Sequence, residues 1–423
     1  MGRALRGRTR EERWVAVAMI ACQWCRGNRQ CDGTRPGFLL LSTRWTVMTV
    51  CDFSSGRPDP ESFPVAELVG AATRRLTAEG SDLVQYPDPQ GYAPLRRLAA
   101  ERFEEREGVG LDPDSFLLGT GSTQPLALLS EALARPGDAI ITEEFSYTGA
   151  LSLFRRYGLE TVGVATDDEG LRLDALEETL DRLDADGRPA KFVYAIPTYQ
   201  NPTGAILSLE RRRELLDLVR RRGVPLVEDN CYADLHFEAG RPPASIRALP
   251  GGEDVIYVAS WSKILGPGAR LGYVSAGPEL IERLMSLKSD AGTSNLSAMI
   301  VTEFMLQHRR EHTAELCRVL KRKRDILLES LEDQLGDLCS WTSPSGGMFV
   351  WVKLPDEIDN AALARAAERE GVLYHPGRNF DSGERDIPYL RLAFGFPSDE
   401  ALRRGTEHLA RAIRAAIPAG AVG

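Results

Sequence analysis

The chain has no excess of positive charge. Its 61 acidic residues outnumber 52 basic ones for a net charge of −9, with a pI near 5.4. That removes the broad attraction nucleic acids and anionic membranes require, so a small-molecule substrate is expected, with no nucleic-acid and no membrane partner. Histidine is scarce as well. The five, His236, His308, His312, His375 and His408, lack metal-ligand spacing and read as solvated or core residues. Seven cysteines, an odd number, form no disulfide framework, and free thiols fit a reducing cytoplasm. Cys22, Cys25 and Cys31 are the one cluster, but no histidine lies near them and Cys51 is the sole candidate for a fourth ligand, so no metal is expected. Long apolar runs are missing too. "WVAVAMIAC", residues 14–22, follows a basic start as an export signal would, but is too short to cross a bilayer.

What is present is ordinary globular composition, 43% hydrophobic and 27% charged over 423 residues, enough for a large domain and a smaller one. Residues 1–47 stand apart, with nine arginines, three acids and no lysine. They read as a disordered extension ahead of a folded chain that opens near Met48. There is no internal repeat and no low-complexity linker.

From residue 94 onward, helical and strand patterns alternate. "PLRRLAAERFEERE" places Leu95, Leu98, Ala99 and Phe103 at helical spacing, with Pro94 suited to a first turn. Short apolar runs follow at 116–119, 139–142, 161–165, 191–197, 225–229, 255–260 and 271–277, most separated by enough chain for a helix. Buried strands alternating with helices predict a largely parallel sheet covered on both faces. Beyond about residue 290, long helices surround "MFVWVKL", "VLYH" and "YLRLAFG", which predicts a smaller α+β domain.

Candidate polar residues stand at the downstream ends of the apolar runs, where open α/β sheets bind ligands. "SWSKILGPGARLGY", residues 260–273, sets Lys263 among Ser260, Ser262 and Arg270, with no acid nearby. A guanidinium does not stabilise a neighbouring ammonium. The pattern favours a neutral, nucleophilic amine beside an anion site, as in a lysine imine with a phosphorylated cofactor. "LLGTGSTQPLALLSEAL" turns from strand into helix at Ser122 and Thr123, where backbone N–H groups can bind phosphate. A plain helix cap or a dinucleotide site fits the same letters. The latter wants a third glycine where Gln124 stands, although Glu143 and Glu144 lie at the distance of a ribose-binding acid. Asn201-Pro202-Thr203-Gly204 is a rigid turn at a strand end, explained equally by turn chemistry. Asp229 ends "PLVED", three residues before Tyr232, and a structural aspartate capping a turn fits the same letters; Tyr147 reads as an aromatic that ordinary core packing would explain.

The ordered series "SSGRPDPESFP", "YPDPQGYAPLR", "GTGSTQPL", "FSYTGA", "PTYQNPTG", "EDNCYADL", "SWSKILGPGARLGY", "GGMFVWVKLP" and "YLRLAF" resembles the class I/II aminotransferases of fold type I, across residues 50–415. It is most similar to the branch of 2-aminoadipate and kynurenine aminotransferases and the enzyme-like domain of MocR-type regulators. The resemblance implies an α/β fold type I transferase. A mostly parallel sheet would form a large domain over 86–290, with an arm over 48–85 and a small α+β domain over 291–423.

It also implies pyridoxal 5'-phosphate held by Lys263 as an aldimine, that lysine then carrying the proton between substrate Cα and cofactor C4′. Asp229 would pair with the pyridine nitrogen and keep it protonated. Asn201 and Tyr232 would hydrogen-bond the ring 3′-oxygen, and Tyr147 would stack on the ring. Ser122, Thr123, Ser260, Ser262 and Arg270 would hold the phosphate, joined by Tyr86 from a neighbouring subunit of a homodimer. Arg391 would clamp the substrate carboxylate by two parallel hydrogen bonds, with Gly56 leaving room beside it. Five positions depart from the family pattern: Phe145 for proline, Thr123 for glutamine, Asn230-Cys231 for Asp-Pro, and Ala393 for a polar residue.

The expected reaction is transfer of an amino group from an L-α-amino acid to a 2-oxo acid. The same cofactor on the same fold also supports elimination, cyclisation or oxidation. A ligand-sensing regulator would need a DNA-binding module that 47 residues do not accommodate, and a nicotinamide dehydrogenase would show no imine absorbance. The run "KRKR" at 321–324 reads as a solvated helix face.

Overall fold

The computed structural model describes residues 51–418. The arginine-rich segment and the cluster of Cys22, Cys25 and Cys31 lie outside the described residues. In chain order the main elements begin with α1 (Val65–Glu79), α2 (Ala93–Glu107), β1 (Phe116–Thr120), α3 (Thr123–Leu133), β2 (Ala139–Glu143), α4 (Thr148–Arg156) and β3 (Glu160–Val164). They continue as α5 (Leu173–Ala185), β4 (Val193–Ala195), α6 (Leu209–Arg222), β5 (Leu226–Asp229), β6 (Ile256–Ser260), β7 (Leu271–Ser275) and α7 (Pro278–Leu287). The chain closes with α8 (Asn295–Leu335), β8 (Ser340–Trp341), β9 (Phe349–Lys353), α9 (Asn360–Glu370), β10 (His375–Pro376), β11 (Tyr389–Ala393) and α10 (Asp399–Ala416).

All seven apolar runs expected as strands form one sheet, in the order β1-β7-β6-β5-β4-β2-β3. Alternation explains its two covered faces. Ile140, Tyr194 and Val227 point into one apolar cluster with Leu126, Phe154 and Leu284 of α3, α4 and α7. Their neighbours Ile141, Val193 and Leu226 point into another with Leu180 and Leu215 of α5 and α6. Every pairing is parallel except those of β7, which runs antiparallel to both β1 and β6. The short connection from β6 to β7 permits only that direction, since a parallel return needs a crossover of a dozen or more residues.

A second, antiparallel sheet has the order β8-β9-β11-β10. "VLYH", expected as one strand, is split. Val372–Leu373 pairs in parallel with Cys51–Asp52, while β10 joins the second sheet. The first described residues therefore lie beside the C-terminal part of the chain. Helix α8 is longer than its apolar pattern predicts and begins at Asn295, where the Ser294 side chain accepts from Ser297 N–H at 3.4 Å. The "KRKR" run within it is a solvated face only in part: Lys321 and Arg322 reach solvent, but Lys323 and Arg324 are buried.

Candidate active site

The strands β1, β2, β4, β5 and β6 run in one direction, so the residues following them meet at one edge of the sheet, and β7 starts there. A cavity of about 140 Å³ occupies that edge. Ser122, Thr123, Tyr147, Asp229, Tyr232, Ser260, Ser262, Lys263 and Arg270 all line it.

Lys263 follows β6 and is half-buried; its Nζ donates to the Gly56 carbonyl at 2.8 Å. Burial is the main cause lowering its pKa to about 8, and the Arg391 and Arg270 charges lower it further against the opposing Cys231 and Asp229. At pH 7.5 roughly one amine in four is then the free base, against about one in a thousand for an ordinary lysine. Gly56 is required by space. A Cβ there would lie 2.9 Å from the Phe349 ring and 3.7 Å from Lys263 Nζ.

Asp229 ends β5 with 4% of its surface exposed. Burial raises its pKa; hydrogen bonds from Tyr194 Oη to Oδ2 at 2.7 Å and from Cys231 N–H to Oδ1 at 3.3 Å oppose that rise. Among the described residues no carboxylate forms an ion pair with Lys263, Arg270 or Arg391. The cavity thus holds cations in excess of its one carboxylate, an arrangement that calls for an anionic ligand.

The anion side is built by two chain reversals. Ser122 leads α3, whose first turn has no side-chain cap and contains Pro125. Opposite it the Ser260 and Ser262 hydroxyls lie 2.9 Å apart, and Ser262 N–H donates to Ser260 Oγ at 3.0 Å. Arg270 has φ of 52°, the left-handed region rarely taken by arginine, and donates to the Thr120 carbonyl at 2.9 Å. Strain of that kind is retained where the surroundings fix a side chain for use.

Asn201 and Arg391 extend the site beyond the cavity. Asn201 Nδ2 donates to Tyr232 Oη at 3.3 Å, and its Oδ1 accepts from Arg391 Nη1 at 3.1 Å. Arg391 Nη2 donates to the Ser54 carbonyl at 2.6 Å, and the guanidinium lies 4.1 Å from the Phe349 ring centre and 4.9 Å from that of Phe380. Its Nε is buried with no partner, and burial lowers its pKa to about 10. A buried guanidinium without a counter-ion is unfavourable by several kcal/mol on the usual order of such penalties, which an incoming carboxylate would relieve.

Tyr86 is not brought to this cavity and stands 88% exposed. Phe145, which stands where the family pattern has proline, packs against Trp351 and Tyr389, each ring centre 5.6 Å away. Residue patterns missed Tyr194, Ser54, Phe349, Phe380 and Cys231. Tyr194 reads as an ordinary strand aromatic, and Ser54 acts through its backbone, which no residue-type pattern reveals.

An amine at a strand end, an anion cradle facing it and a buried carboxylate make a cavity that fits a phosphorylated aldehyde. The family model for aminotransferase class I and II matches residues 49–409, and the chain belongs to that family. It is 36% identical to the aromatic-amino-acid aminotransferase 1 of Thermococcus litoralis over 370 residues, 86% of this chain and 88% of that one. Among solved structures, the alpha-aminoadipate aminotransferase of Thermus thermophilus, complexed with N-(5'-phosphopyridoxyl)-L-leucine, shares 35% identity at a TM-score of 0.81, covering 86% of this chain and 92% of that one. The kynurenine aminotransferase of Pyrococcus horikoshii shares 29% at a TM-score of 0.83, covering 99% and 98%. The fold is fold type I, the protein is an aminotransferase acting on an amino acid and a 2-oxo acid, and its cofactor is pyridoxal 5'-phosphate.

Proposed function

We propose that the cavity below β1, β5 and β6 is where this chain moves an amino group from an L-α-amino acid to a 2-oxo acid, with Lys263 as the catalytic amine. The observation that carries the reading is the half-buried Lys263, its pKa lowered to about 8, standing between an anion cradle and the buried Asp229.

The residues fit the cofactor. Ser122, Thr123, Ser260, Ser262 and Arg270 supply donors and charge for its phosphate, Tyr147 a ring face, Asn201 and Tyr232 polar contacts for its 3′-oxygen, and Asp229 a carboxylate for its ring nitrogen. When bound, pyridoxal 5'-phosphate supplies a reactive aldehyde and a ring that accepts electrons from the substrate Cα. The chain's own groups do the rest. Lys263 would hold the cofactor through its free-base amine and, once the substrate amine has displaced it there, would accept the proton from substrate Cα and return it on the cofactor side. Asp229 holds the proton on the ring nitrogen. Arg391 fixes the α-carboxylate, with Phe349 and Phe380 keeping water off its guanidinium.

The working form in this reading is a homodimer. Val65, Val69 and Leu76 expose one apolar face of α1, and Leu83, Val84 and Tyr86 continue it in the next segment. Tyr86 of the partner subunit would complete the phosphate site. No helix among the described residues is long and apolar enough to cross a membrane. Free thiols at Cys51, Cys231, Cys317 and Cys339 and the net charge of −9 support a cytoplasmic setting without a nucleic-acid partner.

The test is product analysis with panels of amino acids and 2-oxo acids. Stoichiometric formation of a new amino acid and a new oxo acid supports transfer. Turnover of an amino acid alone, with release of ammonia, would overturn it in favour of elimination or oxidation.

A further inference from the structure

We propose that Tyr194 is the positioning residue of this site: its hydroxyl fixes the orientation of Asp229 and keeps that carboxylate ionised against the cofactor's ring nitrogen. The inference rests on the reading of Asp229 given above and adds to it a residue on the neighbouring strand.

The geometry comes from the sheet register. Tyr194 of β4 is directly opposite Val227 of β5, so Asp229 is its diagonal neighbour, two residues further along the same face. A short hydroxyl side chain does not span that diagonal; a tyrosine does. The Tyr194 ring is fully buried, 0% exposed, and packs edge-on against Phe154 at 5.4 Å between ring centres, which fixes its direction. Its Oη has Asp229 Oδ2 as acceptor at 2.7 Å, while Cys231 N–H reaches the carboxylate's other oxygen at the longer distance of 3.3 Å. The phenol's hydrogen bond to Asp229 is thus the shorter of the two.

The chemical type of the donor matters. A lysine or arginine in this place would pair with Asp229 and cancel the negative charge the ring nitrogen needs. A neutral phenol orients the carboxylate and stabilises its ionised form without cancelling that charge. Burial raises the Tyr194 pKa well above the usual value, so the hydroxyl keeps its proton and remains a donor at any working pH. Without it, Asp229 becomes a stronger base and draws the shared proton away from the ring.

The test uses the holoenzyme of Tyr194→Phe, nearly isosteric with the parent. Four quantities are read: kcat and KM for an amino donor, the midpoint of the pH-dependent visible absorbance, and the melting temperature. The expected result is a kcat lowered by about tenfold or more, the scale of one hydrogen bond lost from a buried charged group, with KM within about twofold. The absorbance midpoint moves up in pH. A 3-fluorotyrosine introduced at 194 keeps the ring and sharpens the donor, so it moves the midpoint the other way, and it serves also if Tyr194→Phe does not fold. An unchanged midpoint with either variant overturns the proposal, as does a loss of melting temperature with no spectral change.

Asp229→Asn separates the two readings. If that variant keeps normal spectrum and rate, the assignment of Asp229 fails and Tyr194 falls with it. If it is damaging while Tyr194→Phe is silent, only Tyr194 is excluded. Adding Tyr194→Phe to Asp229→Asn is expected to bring no further loss, because the first acts through the second.

Discussion

Lys323 and Asp59 form a buried ion pair at 2.5 Å that ties the long helix α8 to the segment carrying Gly56. Lys323 Nζ also donates to the Gly395 and Pro397 carbonyls, at 3.1 and 2.7 Å, so all three ammonium protons are used. Asp59 Oδ2 accepts from Ser62 N–H and Oγ, at 2.8 and 2.7 Å. One side chain therefore anchors both the loop whose carbonyls meet Lys263 and Arg391 and the turn that follows the Arg391 strand.

Lys323→Met leaves Asp59 buried and uncompensated, and a loss of about 3–5 kcal/mol is expected from urea unfolding. The double variant Lys323→Met, Asp59→Leu removes the stranded charge and is expected to recover much of that stability. KM for the amino donor stays raised in both, because the Gly56 loop has lost its anchor.

Arg391→Lys is expected to raise KM for every α-amino acid by about a hundredfold, the scale of losing paired hydrogen bonds to a carboxylate. A lysine does not reproduce the fork that meets Asn201 Oδ1 and the Ser54 carbonyl at once. Cofactor affinity, measured by absorbance titration, is expected to stay within about threefold, since Arg391 acts on the substrate side.

Cofactor capture by the apoenzyme is expected to speed up as pH rises, with a midpoint near 8 and a plateau above it. The sign follows from burial, which lowers the Lys263 pKa to about 8, because only the free base attacks an aldehyde. Stopped-flow absorbance across pH 6–10 measures it; a rate independent of pH would contradict the lowered pKa.

Glu143 gives a stability signature of opposite sense. It ends β2, is 1% exposed, and holds Ile196 N–H at 2.8 Å and Ser146 Oγ at 3.0 Å. Burial raises its pKa to about 7. Its contribution is fully present below about pH 4.5 and is lost as pH rises through 7, by about 3 kcal/mol at most. Urea midpoints of Glu143→Gln at pH 5 and pH 8 are expected to differ less than those of the parent.

Six of the seven strands of the main sheet were legible because they are buried on both faces and so appear as short apolar runs; β3, at the sheet edge, keeps the run although Glu160 and Gly163 are exposed. The antiparallel sense of β7 was not, since a run of apolar residues carries no direction. Lys263, Asp229 and Arg270 were readable from residue type at strand ends. The supporting contacts came from backbone carbonyls of Ser54 and Gly56, which no residue type announces. Lys323 hid inside "KRKR", yet a signal existed. The chain holds six lysines among its 52 basic residues, and arginine cannot replace a compact ammonium that donates to three carbonyl or carboxylate oxygens, nor an amine that must form an imine.

The most direct measurement is borohydride reduction of the cofactor-saturated protein, followed by peptide mapping. The phosphopyridoxyl mass is expected on the peptide containing Lys263 and to vanish in Lys263→Ala. A labelled peptide elsewhere, or a saturated protein with Lys263 unmodified, would contradict the account.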